Sequence, residues 1–141
     1  VMENSIMPRF YRDAPINTIW EGSGNVQCLD VLRVMQREPE AVEAFIGEAA
    51  AAQGMEPRFD AFLEHLRKSL ADRDDLEYRA RSVVEAMALS LQGSLLLRKA
   101  PPEVAEAFCA GRLSGASGNT YGMLPRGVDC AALINRGRVA D

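Results

Sequence analysis

The chain has 141 residues and a formal net charge of −4 at pH 7, from 20 acidic and 16 basic residues. This length is enough for one domain with its own hydrophobic core. The acidic balance gives no bulk attraction to nucleic acid or to an anionic membrane. The apolar runs fall far short of the ~20 residues that a membrane-spanning helix needs, so we expect no membrane association.

The three cysteines, Cys28, Cys109 and Cys130, are widely spaced along the chain. That spacing favours reduced thiols in a cytoplasmic protein over a disulfide framework. It also matches no metal-binding pattern, so we expect no metal site.

Residues 1–25 contain three features that interrupt helices, namely Pro8, Pro15 and the run Gly22-Ser23-Gly24. We therefore predict that this segment is mostly loop, with at most a short helical turn near Met2. It forms the first of two predicted parts of the chain, and residues 26–141 form the second.

A carboxylate, an aromatic ring and two glycines meet at the end of this first part. Glu21 follows Trp20, and desolvation beside a large apolar ring moves the pKa of a carboxyl group toward the range useful for proton abstraction. The glycines allow backbone N–H groups to approach a ligand closely. Asn25 is a suitable N-cap for a helix that begins at Val26. The pattern favours a ligand site at a helix N-terminus.

Apolar periodicity with proline and glycine punctuation predicts a series of helices after this point. We place them at Val26 to about Arg37, Pro39 to about Gln53, Pro57 to about Ala71, Asp75 to about Lys99, Pro102 to about Ala110, and Asp129 to about Asn135. The longest, which Asp74-Asp75-Leu76-Glu77 would open as a capping box, is expected to be central. Arg81 and Glu85 are spaced for an i, i+4 ion pair. No alternation of period two stands out, so the predicted fold is an all-α bundle.

Two weaker signals have alternative interpretations. The Gly-, Ser- and Asn-rich stretch 111–127 could cradle a phosphate, but it lacks a Gly-Lys-Ser/Thr sequence, so we favour an ordered surface connection. His65 could be catalytic or bind a metal, but it lies on the flank of its helix and we favour a solvated side chain.

The segment Tyr11-Arg12-Asp13-Ala14-Pro15-Ile16, followed by Ile19-Trp20-Glu21-Gly22-Ser23, resembles the region of the C-terminal catalytic loop in the flavin-dependent acyl-CoA dehydrogenases. The continuation through Gly24-Asn25 to Leu29-Asp30-Val31-Leu32-Arg33 is similar to the AidB-like branch, which is linked to the adaptive response to DNA alkylation. Phe108-Cys109-Ala110 and Tyr121-Gly122-Met123-Leu124-Pro125 also resemble that branch, so the likeness spans nearly the whole chain.

The resemblance implies the fold of an acyl-CoA dehydrogenase C-terminal helical bundle, with a loop-rich N-terminal segment. It implies that Glu21 is the catalytic base and that Trp20 and Gly22 contact the acyl-CoA substrate. Residues Ser23, Gly24 and Asn25 match family positions that contact FAD.

The family's glycine-rich flavin-binding loop lies upstream of the matching segment. We therefore expect the chain to be a C-terminal fragment of a longer flavoprotein, and to be colourless and inactive alone. The implied partners are an acyl-CoA substrate, an electron-transfer flavoprotein or other acceptor, and further copies in a dimer or tetramer.

The AidB-like resemblance leaves a second function open, a flavoprotein that binds DNA through its C-terminal helices with weak dehydrogenase activity. Arg33 and Arg37 would then begin a phosphate-contacting track. The alternative is that Asp30 neutralises Arg33 in an i, i+3 pair. A helical oligomerisation module is the third possibility.

Overall fold

A computed structural model of the chain describes residues 3–19, 23–115 and 122–138. The helices are α1 (Met7–Asp13), α2 (Ile16–Ile19), α3 (Ser23–Arg37), α4 (Pro39–Ala50), α5 (Pro57–Ala71), α6 (Ala80–Lys99), α7 (Pro102–Phe108), a π-helix (Cys109–Leu113) and α8 (Cys130–Arg136). No β-strand occurs in the described ranges, and the predicted all-α bundle is confirmed.

The longest helix, α6, is central, as predicted, and packs against α3, α4, α5, α7 and the π-helix. Its second half buries the small residues Ser90, Gly93 and Ser94, which let neighbouring helices approach closely. The Ser94 hydroxyl donates to the backbone carbonyl of Glu48 at 3.0 Å, joining α6 to α4. The middle of the bundle is therefore held by close backbone approach as well as by large apolar side chains.

Helix α5 supplies the largest buried side chains of the core. Phe59, Leu63 and Leu66 are fully buried, and they lie on the apolar face that the sequence predicts. The helix spans the predicted range, because Pro57 opens it and the apolar period of 3.6 continues to its end.

The predicted start of the central helix is wrong. The helix begins at Ala80 and not at Asp75, because Asp75 has a φ of 49°, in the left-handed region that an α-helix excludes. Arg79 stabilises the turn instead, since its guanidinium donates to the backbone carbonyls of Asp72 and Asp74 at 3.0 Å and 2.8 Å. The capping box that the sequence suggests is not formed.

The loop prediction for the N-terminal segment is also wrong in part, since α1 and α2 lie within residues 3–19. The prolines begin these helices instead of breaking them. Pro8 lies in the first turn of α1, where its missing N–H group costs nothing, and Pro15 directly precedes α2.

Three other boundaries differ from their predicted positions. Helix α4 ends at Ala50 instead of near Gln53. Turns follow it up to Gly54, which adopts a positive φ of 87° that glycine accepts readily. Helix α7 ends at Phe108 and continues as the π-helix, in which Cys109 and Leu113 are buried. Helix α8 differs by one residue, with the Asp129 carboxylate accepting from the Ala132 N–H at 2.9 Å as its N-cap.

The N-terminus of α5 carries a partly buried charge cluster. The Glu56 carboxylate accepts from the Phe59 backbone N–H at 3.1 Å and from Arg58 Nε at 2.8 Å. Burial raises the pKa of Glu56, but the hydrogen bonds from Arg58 and Phe59 outweigh it and leave that pKa below its ordinary value. Burial and the Glu56 carboxylate raise the pKa of the neighbouring Cys109 thiol to about 11, so this thiol stays protonated and unreactive.

Replacing Glu56 by Gln should destabilise the chain in a pH-dependent way. Because the pKa of Glu56 is lower in the folded state, its stabilising effect is present above the unfolded pKa and disappears as pH falls through the folded pKa. We expect a loss of about 0.5–2 kcal/mol at pH 7 that shrinks as pH falls below the ordinary pKa of a glutamate and disappears below the lowered folded-state pKa of Glu56, measured by urea unfolding across pH. Glu64→Gln, which breaks an exposed ion pair with Lys68 on the same helix, is the control and should change stability little. A pH-independent effect of Glu56→Gln would contradict the assignment.

Two Gly→Ala variants should have opposite effects on stability. A Cβ atom on Gly93 would lie 2.9 Å from Cδ2 of Phe59 and 3.2 Å from Cδ1 of Leu113, so Gly93→Ala should cost about 1–3 kcal/mol through overpacking. A Cβ atom on Gly47 in α4 meets nothing within 4 Å, so Gly47→Ala should stabilise by up to about 1 kcal/mol through helix propensity. Chemical denaturation of both variants gives their free energies of unfolding for comparison with the unsubstituted chain. A higher free energy of unfolding for Gly93→Ala would refute the close packing of α5 on α6.

Candidate functional site

The predicted base Glu21 and the predicted substrate contacts Trp20 and Gly22 lie outside the described residues. In the chain they join the last residue of α2, Ile19, to the first residue of α3, Ser23. Their roles therefore stay predictions.

The predicted cofactor contacts Ser23, Gly24 and Asn25 form the first turn of α3, and all three are exposed. The first four N–H groups of a helix have no intrahelical partner, and the positive end of the helix dipole lies there. A Cβ atom built on Gly24 meets nothing within 4 Å. The turn is thus exposed and has open space beside Gly24 for a ligand.

The prediction that Asn25 caps a helix beginning at Val26 is wrong. Helix α3 begins two residues before Asn25, at Ser23, so Asn25 is its third residue. The side chain of Asn25 has a different task, because its Oδ1 accepts a hydrogen bond from Arg81 Nε at 2.7 Å.

This bond joins α3 to the first turn of α6 across 56 positions of sequence. The sequence suggested instead that Arg81 pairs with Glu85, but that ion pair is not found among the described residues. Glu85 lines a separate groove of about 500 Å³ together with His65 and Arg112. Local spacing carries no signal for a contact of such long range, and only the docking of α3 on α6 produces it.

The two arginines predicted to contact nucleic acid are both exposed on α3. Arg33 forms an i, i+3 ion pair with Asp30, which is the alternative that the sequence left open. Arg37 lies in the last turn of α3 and makes no ion pair with any described residue. The pairing leaves at most one unneutralised charge at this end of the helix.

The other expectations concern metal and membrane sites. His65 is exposed, in agreement with a solvated side chain. Within ranges 3–19, 23–115 and 122–138, no three His, Cys, Asp or Glu side chains are grouped to hold a metal ion. In the same ranges, no helix combines the length and the apolarity needed to cross a bilayer.

Helices α1 and α2 expose a group of large apolar side chains. Six of them are between 45% and 73% exposed: Ile6, Met7, Phe10, Tyr11, Ile16 and Ile19. We call Ile6 and these side chains of α1 and α2 the exposed apolar surface; exposed apolar patches are a feature of interaction sites. In the sequence, three residues separate this segment from Ser23, the first residue of α3.

The chain matches known proteins of one family. Residues 1–36 match the family model described as acyl-CoA dehydrogenase, C-terminal domain. Over 107 residues the chain is 36% identical to the putative acyl-CoA dehydrogenase AidB of Escherichia coli (strain K12), covering 76% of this chain and 19% of that protein. It is also 34% identical over 93 residues to acyl-CoA dehydrogenase family member 11 of Caenorhabditis elegans, covering 65% of this chain and 15% of that protein.

The chain thus spans less than a fifth of the length of these two curated relatives. No solved structure matches it. The family model covers α1, α2 and nearly all of α3, so it includes the candidate site together with the exposed apolar surface. The chain belongs to the acyl-CoA dehydrogenase family, as an AidB-like C-terminal region.

Proposed function

We propose that the chain is the C-terminal part of a longer flavin-dependent acyl-CoA dehydrogenase, called the parent below. The parent would oxidise an acyl-CoA thioester to its α,β-enoyl form. The observation that carries the proposal is the exposed, sterically open first turn of α3, which directly follows Glu21 inside the family-matched segment.

Each residue of the segment has a distinct task in this reaction. Glu21 removes the α-proton of the thioester as a general base. Its backbone N–H donates to the thioester oxygen, where negative charge develops in the transition state. Gly22 leaves room for the thioester, and Trp20 borders the acyl chain.

The open turn of α3 suits the cofactor that the family implies. FAD, when bound, supplies the acceptor for the hydride that leaves the β-carbon. Ser23 offers its hydroxyl, Gly24 lets the backbone approach, and Asn25 offers its carboxamide. These groups are exposed in the chain and can reach a ligand without rearrangement of the bundle.

The exposed apolar side chains of α1 and α2 support the proposal that the rest of the parent, or a second subunit, covers this surface. The chain alone would then lack most of the flavin site, and we expect it to be colourless and inactive. Two of its three free thiols are buried, which suits a cytoplasmic setting. An electron-transfer flavoprotein or another acceptor would reoxidise the parent, which we expect to be a homo-oligomer.

The alternative, DNA binding through the C-terminal helices, has weaker support because acidic residues neutralise several of the basic ones. Five cations after residue 25 have carboxylate partners: Arg33 with Asp30, Arg58 with Glu56, Lys68 with Glu64, Arg79 with Asp72, and Arg98 with Glu48. Affinity for duplex DNA depends on cations that are free to neutralise phosphates. The described surface offers few of them on α3.

Replacing Glu21 by Gln in the parent should abolish acyl-CoA oxidation and leave FAD bound. The amide keeps the size of the side chain but cannot accept the α-proton, which typically costs on the order of 100- to 10,000-fold in rate. Turnover with an acyl-CoA series and the flavin absorbance of the purified variant are the measurements. Near-normal turnover would remove Glu21 from the role of base.

Replacing Gly24 by Ala separates a ligand-contacting role from a structural one. Open space surrounds Gly24 and also Gly47 in α4, so both Gly→Ala variants of the chain should keep or slightly raise its stability. In the parent, Gly24→Ala should raise the FAD dissociation constant roughly tenfold or more, because the added methyl group occupies the cofactor's approach, whereas Gly47→Ala should leave it unchanged. Equal flavin affinity in both variants would place the cofactor away from α3.

A further inference from the structure

We propose that Arg81 is a positioning residue that orients the Asn25 carboxamide, so that Asn25 contacts a hydrogen-bond acceptor atom of FAD. This inference rests on the proposed cofactor contact at the first turn of α3. It adds a residue of α6, far from the family-matched segment, to the site.

The hydrogen bond itself determines which way the amide faces. A guanidinium carries five N–H donors and no acceptor, so the Asn25 atom that lies 2.7 Å from Arg81 Nε must be the carbonyl oxygen Oδ1. An amide orientation is often ambiguous, but a partner that can only donate removes the ambiguity. The two N–H groups on Nδ2 are then left to donate elsewhere.

Arg81 is well placed to hold this orientation. Its neighbours in the first turn of α6, Ala80 and Val83, are buried with 4% and 2% exposure, which anchors the backbone that carries it. Arg79, the residue just before α6, donates hydrogen bonds to the backbone carbonyls of Asp72 and Asp74. The start of α6 is therefore held on both sides of Arg81.

The hydrogen bond lies beside a shallow groove of about 270 Å³ that remains open to a ligand. Its lining includes Asn25, Cys28, Leu29, Glu77, Tyr78 and Arg81. Arg81 uses only Nε for Asn25, and its terminal nitrogens make no hydrogen bond or ion pair with the described residues. The Arg81 guanidinium and the two Asn25 amide donors lie in this lining together with one carboxylate, Glu77. Because Arg81 holds the Asn25 oxygen, only N–H groups of the carboxamide remain for the cofactor, and they require an acceptor atom.

The first test uses the chain itself and asks whether Arg81 holds Asn25. Regular helix geometry bonds the backbone amides of Gln27 and Cys28 to the carbonyls of Ser23 and Gly24. Arg81→Ala should therefore speed hydrogen exchange at these amides by roughly two- to tenfold and shift the NMR signals of the Asn25 side-chain amide. Lys99→Ala, at the far end of the same helix, is the control and should do neither. Unchanged exchange and unchanged Asn25 signals in Arg81→Ala would overturn the positioning role.

The second test uses the parent and measures FAD affinity by flavin fluorescence. Asn25→Asp keeps an oxygen that accepts from Arg81 but removes both N–H donors. It should leave the exchange rates at Gln27 and Cys28 unchanged or slower, and raise the FAD dissociation constant by roughly 5- to 10-fold or more. Arg81→Ala should raise both the exchange rates and the dissociation constant.

The outcomes separate this inference from the function on which it rests. A wild-type parent without bound flavin would overturn the proposed function and the cofactor contact with it. A flavin-loaded parent in which Asn25→Asp binds FAD as tightly as wild type would overturn the acceptor assignment alone.

Discussion

The close approach of α5 and the π-helix to α6 at Gly93 is the constraint on which the bundle depends. Phe59 is fully buried against this position, and a single methyl group there would overlap its ring. Close-packed interiors relax little, so this contact limits how far α6 can move relative to α5. Every other long helix takes its place by packing on α6.

The candidate site depends on this arrangement although it lies at the edge of the bundle. Helix α3 packs on α6 through buried residues that include Cys28 and Leu32. That packing sets the distance between the two helices and so brings Arg81 to Asn25. A rigid scaffold that carries an exposed, open turn is the usual arrangement for a binding site.

Partly buried charged groups of the bundle and charged groups on its surface have different partners. The partly buried cluster of Glu56 and Arg58 is satisfied internally by hydrogen bonds, and it stabilises the start of α5. On α3, α5 and α6 the cations Arg33, Lys68 and Arg98 are matched by acids, which weakens the attraction of these helices for a polyanion. The exposed apolar surface of α1 and α2 is the part of the chain that the bundle does not account for.

The amino-acid sequence by itself determined the fold class, the extent of α5, the central place of the longest helix and the family. These features follow from local signals, namely apolar periodicity, prolines at helix starts and a contiguous motif, each of which acts over a few residues. The sequence also predicts the candidate site on the segment from Trp20 to Asn25, and for Ser23, Gly24 and Asn25 the structure gives exposed positions in one helical turn.

Three features appear only in the structure: the start of α6, the helices in the N-terminal segment and the partner of Asn25, and of these only the last is decided by tertiary packing. The first two depend on local backbone conformations that apolar periodicity does not report, such as the left-handed Asp75, and the third depends on a contact across 56 positions of sequence. Asp74 and Glu77 suggested a capping box, but Arg79 stabilises a turn there by binding backbone carbonyls. Asn25 is a good N-cap residue in isolation, yet α3 begins earlier and leaves its side chain to Arg81. Local propensity cannot anticipate such a contact, because its partners become neighbours only when α3 and α6 pack together.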